Sequence, residues 1–332
     1  MKWCNFFNKI SLILQALGCA VLYFVIEAIC RHSFTEAWTY MTTRPLVFAY
    51  NAAFIFTTML IVYLFRKRIF WRIFVGSLWL FLGIVNGVLL LNRVTPFTGP
   101  DVKNLTDGLS IAKKYLTHTQ MTIGAVLLGI AVLILLIILI RSPKYRGKLK
   151  YKVNIPLVLV GVLAFGGITQ LALEKRVLSN YFGNIAIAYE DYGYPYCLAT
   201  TIFNTGISCP RDYSESAINE IEDSESNLPK TGEKRPNIIF LQLESFFDPQ
   251  QIKGLEFNED PLPNWHALQE EYTTGFLTVP VVGAGTANTE TEVLTGMSTR
   301  FFGPGEYPYK TVLTENTAES VAYILKDLGY GT

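Results

Sequence analysis

Long apolar runs separated by short charged turns fill the first half of the chain, and none of the second half has that character. A bilayer core about 30 Å thick needs about 20 mostly apolar residues per helix. Five runs meet that requirement, at roughly 10–29, 46–65, 69–91, 121–140 and 153–173, the last weakened by Asn154, Pro156 and paired glycines. The pattern predicts a five-helix transmembrane domain over residues 1–174. A signal peptide is a poor reading of the first run, which is too long and is followed by four more.

Lysine and arginine crowd one set of turns. Lys2 and Lys9 precede the first run, Arg66, Lys67, Arg68 and Arg72 fill the second turn, and Arg141, Lys144, Arg146, Lys148, Lys150 and Lys152 fill the fourth. The opposite turns carry only Arg31, Arg44, Arg93, Lys103, Lys113 and Lys114. Positive segments stay cytoplasmic, so the expectation is a multi-pass protein of the bacterial cell membrane with its amino terminus inside and its carboxy-terminal part outside. In the long outer loop, Leu105, Leu109, Ala112 and Leu116 recur at helical spacing, which suits a connector lying along the membrane surface. Glu27 and Asn86 read as packing residues, because an ion pathway would show several intramembrane charges.

Residues 175–236 form a juxtamembrane region. It begins aromatic and mixed, as interfacial helices are, and ends in the acidic, serine-rich "DYSESAINEIEDSESNLPKTGEKRP", which reads as an exposed tether. Ala186-Ile187-Ala188 and Cys197-Leu198-Ala199 fit a small-x-small peptidase site, a pattern of low specificity. From residue 237 to 332 the grammar is α/β. "NIIFLQLES" reads as a buried parallel strand ending in a carboxylate, "PLPNWHALQEEY" as a helix capped by Asn264, and "TGFLTVPVV" as a second strand. Helices follow in "TANTETEVLTGM" and "AESVAYILKDLG", and the closing "GYGT" resembles the lip of a further strand. The expected fold is therefore a five-span domain followed by the start of a helix-flanked parallel sheet.

Composition adds that half of the residues are hydrophobic and 17% are charged, which suits a membrane protein. A net charge of +1 gives no footing for nucleic acid. Cys4, Cys19, Cys30, Cys197 and Cys209 have no zinc-type spacing and read as inert thiols.

The candidate chemistry lies in "VVGAGTANTETEVLTG". Thr286 stands where a strand gives way to a helix, and Gly283 and Gly285 leave room for a ligand to approach. A helix amino terminus suits phosphate, but a threonine hydroxyl needs a base or a metal before it can attack. Glu244, ending the first expected strand, is the nearest hard-metal ligand, because parallel strands deliver their carboxyl ends to one edge. Taken alone, Thr286 could simply cap a helix and Glu244 could be a surface acid.

Together, "PNIIFLQLESFFDP", "GAGTANTETEVLTGMS" and "YPYKTVLTENTAESVAYILKDLGYGT", behind five apolar runs, resemble the lipoteichoic acid synthase family of the alkaline phosphatase and sulfatase superfamily. The resemblance implies that Glu244 binds manganese or another divalent metal, and that Thr286 both ligates the metal and is the nucleophile. It implies transfer of glycerol phosphate from phosphatidylglycerol, through a phosphothreonine, to a polyglycerolphosphate chain growing on a glycolipid anchor. Alternatives are a phosphoethanolamine transferase and a non-catalytic membrane-anchored remnant. A sulfatase of the Cys/Ser-x-Pro-x-Arg type is disfavoured, since that signature is absent. The family also uses a later Asp-His pair and a substrate histidine, whereas the histidines here are His32, His118 and His266. The expectation is therefore a truncated member, inactive alone.

Overall fold

The computed structural model describes residues 11–103, 117–145, 149–182, 184–204, 206–207, 213–225, 236–243, 246–281, 285–314 and 316–331. The chain divides into two compact units, Met1–Gly206 with Phe302–Thr314, and Ile207–Phe301 with Glu315–Thr332.

Five helices of the first unit are long and apolar enough to cross a membrane: Ser11–Cys30, Pro45–Leu64, Arg68–Leu90, His118–Arg141 and Tyr151–Glu174. A spanning helix satisfies its own backbone, which lipid cannot do. We label Ser11–Cys30 α1, Phe34–Thr43 α2, Pro45–Met59 α3 and Arg68–Leu90 α4. The fourth and fifth spans bury no residue, as expected of helices apolar on every side.

Two glycines one turn apart let α1 and α4 approach closely. A Cβ on Gly83 would lie 2.9 Å from the Ile26 side chain, and one on Gly87 would lie 2.8 Å from the Ile29 side chain and 3.0 Å from its backbone oxygen. Small residues at this spacing bring backbones together where the hydrophobic effect gives no drive. The two sites differ, because a side chain can turn aside and a carbonyl cannot. We predict that Gly87→Ala destabilises the detergent-solubilised protein by about 1–3 kcal/mol and Gly83→Ala by less, read as thermal melting. Equal melting of the two variants would refute the distinction.

Polar residues inside the spans are engaged. Asn51 donates to Tyr192 O at 2.8 Å and accepts from Tyr196 N at 2.9 Å, holding the helices Ile185–Tyr192 and Tyr194–Phe203 against α3. Gly193 joins those helices at φ +81°, and a Cβ there would strike the Tyr23 hydroxyl at 2.2 Å. Only glycine fits both the backbone and the space. Asn86 accepts from Phe97 N at 2.7 Å, and Glu27 pairs with Arg31 at 2.9 Å, so both act in packing. In the segment 302–314, the buried Glu306 carboxylate accepts from Gly206 N, Gly303 N and the Thr311 hydroxyl.

Several expectations change. The two small-x-small sequences sit within packed helices, with Ala188, Cys197 and Leu198 buried, where a peptidase would not find extended backbone. Cys19, Cys30 and Cys197 are buried free thiols, and burial pushes Cys197 well up. Cys4 and Cys209 lie outside the described residues, as does the outer-loop segment 104–116. Part of the acidic tether is a helix, Glu215–Glu225, with the Ser214 hydroxyl accepting from Ala217 N at its start.

In the second unit Asn264 is not a cap. The helix Pro263–Glu271 begins at Pro263, whose fixed φ suits the first helical position, and Asp260 instead accepts from Leu262 N at 2.8 Å. No strand is assigned among the described residues, including those of "NIIFLQLES", "TGFLTVPVV" and "GYGT". Ile239, Leu241 and Phe276 are 86%, 76% and 93% exposed, apolar surface that a strand buries only against partners.

Candidate active site

The second unit's helix Thr286–Thr295 starts abruptly. Gly285 precedes it at φ +90°, a conformation that costs glycine little, and Asn288 N donates back to Gly285 O at 2.8 Å. Gly296 ends the helix at φ +70°. Glu292 then fastens the following turn, accepting from Thr299 N at 2.6 Å and from the Thr299 hydroxyl at 2.9 Å. Thr291 is fully buried and donates to Ala287 O, which anchors the middle of the helix.

The amino-terminal end of this helix lines a cleft of about 830 Å³, within the range of small-molecule sites. Gly285, Thr286, Thr289 and Glu290 contribute its polar wall, and residues 240–243 with Leu277, Val279 and Val281 contribute apolar wall. Thr286 is therefore placed at the mouth of a helix dipole, inside a concave site. Glu244 lies outside the described residues; its chain neighbour Leu243 lines the same cleft.

Glu290 is the residue that reading the sequence for motifs missed. It lies one helical turn after Thr286, and the four-residue spacing alone puts the two on one face. The hydroxyl of Thr286 and a carboxylate are hard oxygen donors of the kind Mn²⁺ or Mg²⁺ accepts, so the donor chemistry fits such an ion. Among the described residues no group of three or more His, Cys, Asp or Glu side chains is gathered as a ligand set.

A second polar cluster belongs to the same unit. His266 Nδ1 lies 2.7 Å from Asp260 Oδ1, and its Nε2 lies 3.3 Å from Asp248 Oδ2. Hydrogen bonding to Asp260, then Asp248, pushes the imidazole above its usual range, and the Gln250 amide and His266 hold the two carboxyls below theirs. The imidazolium's contribution is complete below the ordinary histidine value and is lost as pH rises through the raised folded value. The carboxylates' contribution is lost as pH falls through their lowered values. We predict that hydrogen exchange in residues 246–272, corrected for intrinsic rate, loses protection as pH rises above the ordinary histidine range, and that His266→Ala removes this dependence. A wild-type profile as flat as the variant's would contradict it.

Residues 236–332 match the sulfatase family. A protein of Rhizobium meliloti (strain 1021) named for cyclic beta-1,2-glucan modification is 30% identical over 142 residues, which cover 43% of this chain and 21% of that protein. The chain thus spans about a fifth of the length of the curated relative it matches. No solved structure matches it. The chain joins a sulfatase-family segment to five helices able to span a membrane.

Proposed function

We propose that the protein is a metal-dependent phosphoglycerol transferase working at the outer face of a bacterial membrane, with Thr286 as nucleophile. The observation that carries the reading is the position of Thr286 at the head of a helix, lining a cleft in the sulfatase-family segment. The Thr286 oxygen attacks the phosphorus of phosphatidylglycerol and gives up its proton. The bond from phosphorus to the diacylglycerol oxygen breaks, that oxygen takes a proton, and diacylglycerol leaves. A hydroxyl of the acceptor then attacks the phosphothreonine and restores Thr286. Glu244 and Thr286 would hold a divalent ion, which supplies charge neutralisation for the transferring phosphoryl group. The helix dipole at Thr286 favours the same negative charge.

Spanning helices would keep enzyme and lipid donor in one membrane, raising their effective concentration. The acceptor in this reading is a polyglycerolphosphate chain on a glycolipid. A second reading keeps the chemistry and makes the acceptor a glucan hydroxyl, as the name of the relative suggests. The experiment is to give the protein phosphatidylglycerol labelled in its head-group glycerol, with manganese and each acceptor in turn. Label in the acceptor and equimolar diacylglycerol are expected. Transfer from phosphatidylethanolamine instead would replace the donor, and release of neither product would sink the reading.

The orientation has its own test. Cysteines placed at Ser224 and Lys148 are expected to react and to stay protected, respectively, with an impermeant probe on intact cells. The opposite pattern would put the cleft on the wrong side of the membrane.

A further inference from the structure

Segments 1–10, 60–72 and 141–152 carry twelve Lys and Arg and no Asp or Glu. Among the described residues none of these cations is paired with a carboxylate, whereas Arg31, Arg44 and Arg93, in the turns at the opposite helix ends, pair with Glu27, Asp191 and Asp101 at 2.9, 2.8 and 2.7 Å. One set of turns is thus neutralised within the protein and the other is not. We propose that Arg68, with Arg72 one turn on, binds the phosphodiester of an anionic phospholipid in the cytoplasmic leaflet, where so basic a set of turns is expected to lie.

The basic turns are organised around Arg68. Read as successive spans, the helices bring the starts of α1 and α4 and the end of His118–Arg141 to one side, and two bonds tie that side together: Tyr145 N donates to Arg66 O at 2.7 Å, and Asn154 Nδ2 donates to Tyr63 O at 3.0 Å. Arg68 Cζ lies 3.8 Å from the centre of the Tyr145 ring and 5.1 Å from that of Tyr63. The rings fix the guanidinium plane, and a plane so held offers its edge to a phosphate. Of the Arg68 nitrogens only Nε is buried; the two terminal ones are neither buried nor hydrogen-bonded among the described residues, so they are open to a ligand. Arg72 is steadied by neutral groups, donating from Nε to Gln15 Oε1 at 3.1 Å and from Nη2 to Ser11 Oγ at 2.9 Å, which leaves its charge uncompensated.

The start of α4 adds to the demand for an anion. The helix begins at Arg68, and Lys67 before it makes no side-chain cap bond. The positive end of the helix dipole therefore coincides with Arg66, Lys67, Arg68 and Arg72, a self-repelling arrangement that a negative group would relieve. A lipid is the occupant that fits the whole surface. Ile69 and Ile73, next to the two arginines in the chain and one turn apart, are 47% and 38% exposed, and acyl chains would cover them where a soluble anion would not. Basic clusters just cytoplasmic of spanning helices draw anionic head groups electrostatically. Binding here stands without the transferase reading.

The test uses the purified full chain in phosphatidylcholine nanodiscs doped with phosphatidylserine, a probe that is not the proposed donor, with native mass spectrometry counting the lipids retained. Phosphatidylserine is expected to be retained over phosphatidylcholine, and Arg68→Gln to weaken its retention about tenfold, the scale of charge-assisted hydrogen bonds, without lowering the melting temperature in detergent. Arg68→Lys keeps the charge but loses the planar fork; it should weaken retention as well, and carries the test should Arg68→Gln fail to fold. Arg141→Gln removes an exposed cation from the same side and should change retention little. Equal losses in Arg68→Gln and Arg141→Gln would replace the site by a diffuse field. Equal retention of the two lipids by the wild type would remove the anionic assignment, and displacement of phosphatidylserine by inorganic phosphate would make the ligand a soluble anion.

Discussion

Thr286→Ala is expected to reduce the proposed phosphoglycerol transfer by about three orders of magnitude or more, because in that reading it deletes the attacking oxygen and leaves no other group to make the bond. The helix should survive. Alanine is the better helix former, and Gly285 at φ +90° sets the turn before it. Thr286→Ser keeps the hydroxyl and should retain part of the rate. A phosphoryl group should be found on residue 286 of the wild type by mass spectrometry after brief exposure to phosphatidylglycerol, and on no residue of the Ala variant. Glu244→Gln keeps shape and loses charge, so it should raise the manganese concentration needed for half-maximal rate. Near-normal turnover in Thr286→Ala would end the covalent reading, even if metal dependence remained.

Arg31→Ala should give the largest loss of stability, about 3–5 kcal/mol, by leaving the Glu27 carboxylate without its cation. Glu27 is 2% exposed and Arg31 16% exposed, so water screens the pair little. Arg31 also lies over the Tyr40 ring at 4.2 Å and donates to Glu190 O, tying the end of α1 to α2 and to the helix Ile185–Tyr192. The check is a cycle: Arg31→Ala, Glu27→Gln and the double variant, melted in detergent. The double variant should be more stable than Arg31→Ala, since removing both charges leaves no orphan. Additive losses would show that the charges do not interact and that only packing is lost.

Little of this was readable as a motif. Glu27 and Asn86 were legible as packing residues from the scarcity of intramembrane charge, but their partners Arg31 and Phe97 were not. Asn51 is similar: nothing near it in sequence announces Tyr192 and Tyr196, which lie across the unit. Gly83 and Gly87 did leave a signal, the Gly-x-x-x-Gly spacing inside an apolar run, and it went unread beside the stronger hydropathy pattern. Glu290 was legible by the same arithmetic, one turn from Thr286. The helix in the acidic tether was hidden by composition, because polarity argues for disorder while Ser214 and the spacing of Ile218 and Ile221 permit a cap and a face.

By itself the sequence determined the five helices long and apolar enough to cross a membrane, since length and apolarity are local sums that a bilayer reads directly. It also determined the turn and helix at Gly285 and Thr286, because left-handed backbone and a helix start depend on adjacent residues. Tertiary structure alone decided which buried polar groups meet, that Thr286 and Glu290 share a cleft with residues 240–243, and that Tyr194 is buried with its hydroxyl unsatisfied. Those are pairings between distant parts of the chain, fixed by close packing and by the need of each buried polar group for a partner, and neither requirement is written in any one segment.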